Sequence, residues 1–517
     1  MHFSYTSLLS AACLFQSSIA VNDDFNYYHR HQQQRLSTAA AAKARQQSLG
    51  AEKTDYQFRN DKTSPYFIDS WPDIDFDTGE MYSGTVPINE SDPSRSLFFI
   101  FTPAEKPTNT LTIWLNGGPG CSSLVGFFQE NGNILWQPGE YRAYKNPYAW
   151  SKYTNMLWVE HPVGVGFSTG KIEAKNEVQI SQDFVGFFKN FEVLFGIENY
   201  KIYVTGESYA GRYVPYISAA MLDQKDKQYF DLSGNIIYDP CIGEFLRVGQ
   251  EIPTFDFVKA NNDILNLNDT FMAELEQQHI NCGYRDYIDK YLTFPPPEHQ
   301  PDRGVYGYKK CDVFDKYYEA AYTVNPCFNV YHITDYCPML GNILGNPENS
   351  ALGSVTYYFN RQDVKKALHA PVDVKWAECG EHDVFKNGGS GGPEGEGDHS
   401  PDPIQGVLPQ VIEATNRVLV SNADWDGLLI TNGTLLEIQN MTWNGMLGFQ
   451  SPPTTDFVVD IKDKQYGTGV QGVMGKKHYE RGLLWVETYQ AGHQQPQYQP
   501  RAALEHLFWM LELDGSA

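Results

Sequence analysis

A serine at the apex of a glycine-flanked turn is the residue of this chain best placed to do chemistry. Ser208 lies in Ile202-Tyr203-Val204-Thr205-Gly206-Glu207-Ser208-Tyr209-Ala210-Gly211, an apolar run that enters a tight turn and leaves as a helix. Small flanking residues permit a bend too close for a bulky Cβ, which exposes the hydroxyl to a base. The pattern departs from strict G-x-S-x-G, because Ala210 takes the fifth position and glycine follows it. Taken alone, such a serine also reads as a helix N-cap. Three further features favour chemistry. Trp114-Leu115-Asn116-Gly117-Gly118-Pro119-Gly120 puts a glycine-rich turn after an apolar run. Its backbone N–H groups, with that of Tyr209, could face an oxyanion. Asp424 and Asp426 follow the apolar run at 418–421, and His493 follows the run at 483–488. Of the thirteen histidines, only His493 follows such a run downstream of both the serine and the acid. Hydroxyl, carboxylate and imidazole, in that chain order and each past a strand end, supply a nucleophile, an orienting acid and a base for acyl transfer.

Short apolar runs rich in β-branched and aromatic residues must carry these groups. Those at 97–101, 111–115, 156–159, 202–205, 418–421 and 483–488 are bounded by turn residues. That is the signature of strands buried on both faces of a sheet. Helices are expected at 183–195, 209–222 and 501–513. Between Leu232 and Leu344 the character changes: Pro295-Pro296-Pro297, clustered cysteines, many tyrosines and helical spacing at 271–279. This span reads as an inserted cap, disulfide-rich and mainly helical. The expected fold is α/β: an α/β-hydrolase with a mixed central sheet and helices on both faces. Its core is split into 56–231 and 345–517 around a cap at 232–344. The glycine-rich, acidic stretch 387–398 reads as a mobile surface loop, and without a following lysine and helix it is no phosphate cradle.

Composition removes other function classes. With 63 acidic against 39 basic side chains the net charge is −24, a surface that repels phosphate, so no nucleic-acid partner is expected. No stretch nears the roughly 18 apolar residues of a membrane helix, so no membrane partner is expected either. Residues 1–20 read as a signal peptide, an apolar run closing on Ser18-Ile19-Ala20, and 21–55 as a disordered or pro-segment. Sequons at Asn89, Asn268, Asn432 and Asn440 fit passage through a secretory route. The expected destination is secretion, with a vacuole or lysosome-like compartment as the alternative. Of eight cysteines, Cys13 leaves with the signal, and the remaining seven must leave at least one thiol outside an intramolecular pair. No C-x-x-C spacing occurs, so no zinc or redox site is expected.

The chain from about Tyr66 onward resembles the serine carboxypeptidase family, and most closely its secreted fungal members. The resemblance rests on WLNGGPGCSS at 114–123, GESYAGRYVP at 206–215, the acid loop at 423–426 and AGH at 491–493. It implies Ser208 as nucleophile, Asp426 as orienting acid and His493 as general base. It implies the N–H groups of Gly118 and Tyr209 as oxyanion hole. It further implies Trp114, Asn116, Glu130 and Glu207 as readers of a substrate's terminal carboxylate, and a bridge between Cys121 and Cys379. Cys241, where a family cysteine is not expected, becomes the candidate free thiol. Three connectivities remain open for Cys282, Cys311, Cys327 and Cys337. Peptide or protein C-termini would be the substrate, with no metal or organic cofactor, and the protein a monomer or homodimer. The sequence departs from the family at Gln494 and Gln495, where an apolar pair is usual, and at Ala423, where glycine is common. Position 494 is expected to line the pocket for the departing residue.

The implied carboxylate site has a consequence of its own. Glu130, Glu207 and a substrate carboxylate cannot all be ionised in a partly dry site, so a proton must be shared. A protonated glutamate donates to the chain end, whereas an ionised one repels it. Peptide hydrolysis is therefore expected at acid pH. An acyltransferase or lyase on the same scaffold is disfavoured by Asn116, Glu130 and Glu207 together, and a silent scaffold by the filled Ser-Asp-His set.

Overall fold

The β-branched and aromatic runs become the strands of one ten-stranded sheet. The computed structural model describes residues 56–301, 311–345, 357–380, 383–386, 397–460 and 471–513. The expected leader at 1–20, the pro-segment at 21–55 and nearly all of the glycine-rich stretch lie outside the described residues. In chain order the strands are β1 (Tyr82–Asn89), β2 (Asp92–Thr102), β3 (Thr110–Leu115), β4 (Asn155–Glu160) and β5 (Lys201–Glu207). Then come β6 (Asp231–Tyr238), β7 (Val418–Ala423), β8 (Thr455–Val459), β9 (Gly472–Glu480) and β10 (Leu483–Thr488). Their spatial order is β1-β2-β4-β3-β5-β6-β7-β10-β9-β8. The six central strands run parallel, and the two at each edge pair antiparallel. Parallel strands buried on both faces must be apolar nearly throughout. In β3, Leu111, Ile113, Trp114 and Leu115 are accordingly fully buried.

Helices pack on this sheet. α1 (Leu124–Gln129) follows the glycine-rich turn. α2 (Glu177–Phe195) begins ahead of the expected 183, because the Asn176 side chain accepts from Gln179 N and caps it. It ends at Gly196 in the left-handed region, φ +68°. Its face of Phe184, Phe187, Phe191 and Phe195, at helical spacing, packs on β1 and β2, with Phe191 5.2 Å from Phe99 and Phe195 5.1 Å from Phe101. Truncating Phe191 to alanine would remove about 3–5 kcal/mol from this contact. α3 (Ala210–Gln224) leaves the nucleophile turn and packs against β5 and β6.

The insertion carries α4 (Thr254–Ala260), α5 (Asp269–Asn281), α6 (Tyr284–Tyr291) and α7 (Phe314–Val324). They share a core of Phe255, Val258, Leu275, Tyr287, Tyr317 and Phe328. Disulfides Cys282–Cys311 and Cys327–Cys337 staple it and settle the open connectivity. One boundary needs correction. Residues from Leu232 are not cap: they form β6, in the middle of the sheet, and the helical insertion opens only after Tyr238. Alternation is hidden there because both faces are covered. Beyond the insertion, the longer helices are α8 (Val407–Thr415), α9 (Thr431–Gln439) and α10 (Pro500–Leu511). Among the described residues, no helix is long and apolar enough to cross a membrane.

Candidate active site

Four of the candidate groups lie just beyond the C-terminal end of a parallel strand, where open α/β sheets gather their sites. Ser208 follows β5, Asn116 follows β3, Asp426 follows β7 and His493 follows β10. Ser208 takes φ +64°, a left-handed conformation that costs a non-glycine residue about 1–3 kcal/mol. Neighbouring backbone holds it there: Ser208 N donates to Tyr238 O at 2.9 Å, and Cys241 N donates to Ser208 O at 3.0 Å. The glycine that seemed displaced from the strict motif has its own cause. A Cβ on Gly211 would lie 2.6 Å from Cys241 N, so that close crossing fixes glycine after Ala210.

The glycine-rich turn after β3 abuts the serine. A Cβ on Gly117 would lie 2.5 Å from Tyr209 N and 2.7 Å from Ser208 Cβ. Gly118, next in the turn, has φ +113°. The predicted oxyanion donors thus come from two adjoining turns. Cys121 at the end of this turn is bridged to Cys379.

Asp426 is fully buried. Its Oδ1 accepts from Leu428 N at 2.8 Å and Leu429 N at 3.2 Å, and its Oδ2 stands 2.6 Å from His493 Nδ1. Asp424, the other acid of this loop, instead accepts from Ala491 N at 3.4 Å, and burial pushes its carboxyl up to about 7. A cap loop steadies the imidazole: His493 N donates to Tyr331 O at 2.7 Å, and the Tyr331 ring lies 4.9 Å from the imidazole centre.

A second group sits under the serine. Asn116 Oδ1 accepts from Trp114 Nε1 at 2.9 Å and Gly126 N at 3.2 Å, which fixes its amide. The Nδ2 of Asn116 then donates to Glu207 Oε1 at 2.7 Å and Glu130 Oε1 at 3.2 Å. Both glutamates are buried, and neither Oε2 has a protein donor. Burial pushes the Glu130 carboxyl up to about 7. Burial, and then the charge of Glu130, push Glu207 well above the usual range. The four residues predicted to read a carboxylate are therefore joined, beside the serine.

Sequence reasoning missed several contributors. Asp239, directly after β6, is fully buried, and its acidic oxygen, one from Asp426 and a ring nitrogen of His493 lie within 4.8 Å of one another. Asp239 and Asp426 are already engaged by N–H donors, so the trio reads as a hydrogen-bonded cluster rather than a cation site. An acid just past an apolar run is the signal that points to Asp426; before Asp239 the same kind of run reads as the start of the cap. Asp398 closes the glycine-rich stretch, yet it is held rather than mobile: Oδ2 accepts from Tyr209 Oη at 2.9 Å and lies 3.5 Å from Arg212. Cys241 is free and buried, and burial pushes its thiol up to about 12, which makes it inert. Gln495 is buried against Asp239 and Ser421, while Gln494 is half-buried.

Comparison with known proteins gives the family. The family model described as serine carboxypeptidase matches residues 72–512. The chain is 52% identical to the serine-type carboxypeptidase F of Aspergillus niger, over 98% of each chain. It is 43% identical to a carboxypeptidase Y homolog of Arthroderma benhamiae, over 87% of each. Among solved structures it is similar to Kex1(delta)p, a prohormone-processing carboxypeptidase from Saccharomyces cerevisiae. The TM-score is 0.66 at 21% identity, covering 88% of this chain and 96% of that one, a likeness of fold. By its motifs, its architecture and these matches, the chain belongs to the serine carboxypeptidase family.

Proposed function

We propose that Ser208 attacks the last peptide carbonyl of a substrate while His493 accepts its proton and Asp426 orients the imidazole. The family supplies the activity, serine-type release of C-terminal amino acids through an acyl-enzyme at acidic pH. The N–H groups of Gly118 and Tyr209 stabilise the oxyanion. The departing amine takes its proton from His493, and water activated by the same imidazole then releases the shortened peptide.

One observation carries the choice of a free chain end as substrate: Asn116 Nδ2 bonds to both Glu130 and Glu207, and Glu207 is next in sequence to the nucleophile. In a dry pocket two such carboxyls hold protons, and protonated they donate to a carboxylate. Trp114 serves by fixing the Asn116 amide.

The same reading extends to the rest of the chain. Residues 1–20 direct the protein into the secretory route and 21–55 are a disordered or pro-segment, with secretion favoured over vacuolar delivery. Of the sequon asparagines, Asn89 and Asn268 are exposed and Asn432 and Asn440 half-buried, so the first two are the better glycan acceptors. The cap comprises 239–344, and the enzyme acts as a monomer or homodimer. The test is labelling by a fluorophosphonate probe alongside release of C-terminal residues from a peptide panel. Wild type should label and release single residues; Ser208→Ala should do neither. A labelled Ser208→Ala protein would overturn the assignment.

A further inference from the structure

The segment at 238–241 reaches all three loops of the proposed triad. Tyr238 O and Cys241 N bond the backbone of Ser208 on one side. Asp239 reaches the other two. Its N donates to Ser421 O at 2.7 Å, and its Oδ1 accepts from Ala423 N at 2.7 Å, at the end of the strand that leads to Asp426. Its Oδ2 meets Gln495 Nε2 at 2.7 Å, two residues past His493. Asp239 is fully buried and takes φ +40°, a conformation retained only where surrounding contacts over-determine it.

The groups facing Asp239 bear on its charge. Asp424 and Asp426 face it from the loop after β7, His493 and Gln495 from the loop after β10, and Glu207 from the end of β5. Two carboxylates this close in a dry site do not both ionise. Asp426 accepts from two backbone N–H groups and the imidazole, so the shared proton belongs on Asp239. Burial and the charge of Asp426 act in the same direction, raising Asp239 well above the usual range.

Gln495 suits such a partner. Its other end meets Ser421 Oγ at 2.8 Å, which in turn lies 3.1 Å from Thr488 Oγ1. An amide presents a donor and an acceptor in nearly the same shape. Turned over, it accepts the Asp239 proton and donates to Ser421. An apolar residue at 495 could do neither.

We propose that Asp239 is a positioning residue of the catalytic site, a neutral carboxyl that works with Gln495 to lock the nucleophile, acid and histidine loops into one frame. The inference rests on the triad assignment above. Asp239 touches no substrate; it sets kcat through the placement of Asp426 and His493, and it adds no charge beside the imidazole.

The test uses a neutral N-acyl amino acid ester, which has no terminal carboxylate to sense Glu130 and Glu207. Asp239→Ala should lower kcat by at least about twentyfold with KM changed less than about threefold, and Gln495→Leu should lower it by at least about fivefold. Asp239→Asn, which keeps the shape without charge, should recover most of what Asp239→Ala loses. Its acid limb in the pH profile of kcat should lie within about half a unit of wild type. Thermal melts at the assay pH report folding, and Gln495→Leu carries the test if Asp239→Ala does not fold. The proposal fails if Asp239→Asn is as slow as Asp239→Ala, or if its acid limb moves by a unit or more, because Asp239 would then be an ionised partner of His493. It also fails if neither Asp239→Ala nor Gln495→Leu lowers kcat. Ser208→Ala and Asp426→Asn run beside them: substantial activity in either would instead mean that the triad assignment is wrong.

Discussion

Glu207 and Glu130 converge on one amide: Asn116 Nδ2 lies 2.7 Å from the first carboxyl and 3.2 Å from the second, and Glu207 is bonded in sequence to Ser208. The proposed nucleophile and one of the two carboxyls proposed to read the chain end therefore sit on one turn. On that proposed assignment, the backbone itself would measure the distance from the scissile bond to the C-terminus and restrict cleavage to the last residue. Asn116→Ala removes the shared donor and leaves two buried carboxyls unsatisfied. It should raise KM for a free-acid peptide at least about tenfold, the equivalent of ~1.4 kcal/mol, with a smaller effect on a neutral ester. Steady-state kinetics on the two substrates check this.

The same pair sets a pH dependence. With its carboxyl pushed up to about 7, Glu130 is protonated at pH 5 and ionises as pH rises through 7. Ionised Glu130 repels a carboxylate, so kcat/KM for free-acid peptides should fall across that range. Glu130→Gln should soften the fall, and Glu130→Gln with Glu207→Gln should remove it, because a neutral amide cannot ionise. A double variant that kept the full decline would place its origin elsewhere.

Stability should follow pH in the same sense. Burial pushes Glu130, Glu160, Glu378 and Asp424 each up to about 7, from ordinary values near 4. A carboxyl raised on folding binds more protons folded than unfolded between those values. Its favourable contribution is complete below the unfolded value and is lost as pH rises toward about 7. The melting temperature should therefore drop by several degrees from pH 5 to pH 8, which calorimetry measures. A protein more stable at pH 8 would contradict the buried, protonated state of these groups.

The Cys327–Cys337 loop is a clamp on the site. Between its cysteines, Val330 O accepts from Gly427 N at 2.8 Å, Tyr331 O from His493 N at 2.7 Å, and Ile333 N donates to Trp425 O at 3.2 Å. Both the acid loop and the histidine loop rest on this one cap segment. Replacing both cysteines with serine should lower kcat/KM by about tenfold while the Tm falls only modestly, since the bridge closes a short loop. Activity and melting measured side by side separate the two effects.

Much of this architecture is legible in residue order. Trp114 to Gly120, Gly206 to Gly211, Asp426 and His493 lie in short motifs, and local chemistry requires what they contain. The buried parallel strands announce themselves as apolar runs. What stayed hidden depends on crossings between distant segments. β6 looks like the start of the cap because a strand covered on both faces carries no alternation, and Asp239 was lost with it. The place of Tyr331 over His493 follows from how the cap folds back, which no local pattern encodes. The departure at Gln495 is readable only beside Asp239, which its amide meets at 2.7 Å.

The most direct trial of the account is hydrolysis of one peptide offered as its free acid and as its C-terminal amide, at about pH 5. Protonated Glu130 and Glu207 gripping a carboxylate should give the acid a kcat/KM at least about a hundredfold higher than the amide, because an amide end cannot receive their hydrogen bonds as an anion does. Equal rates on the two peptides would show that the chain end is not read by this site, and the account would fall.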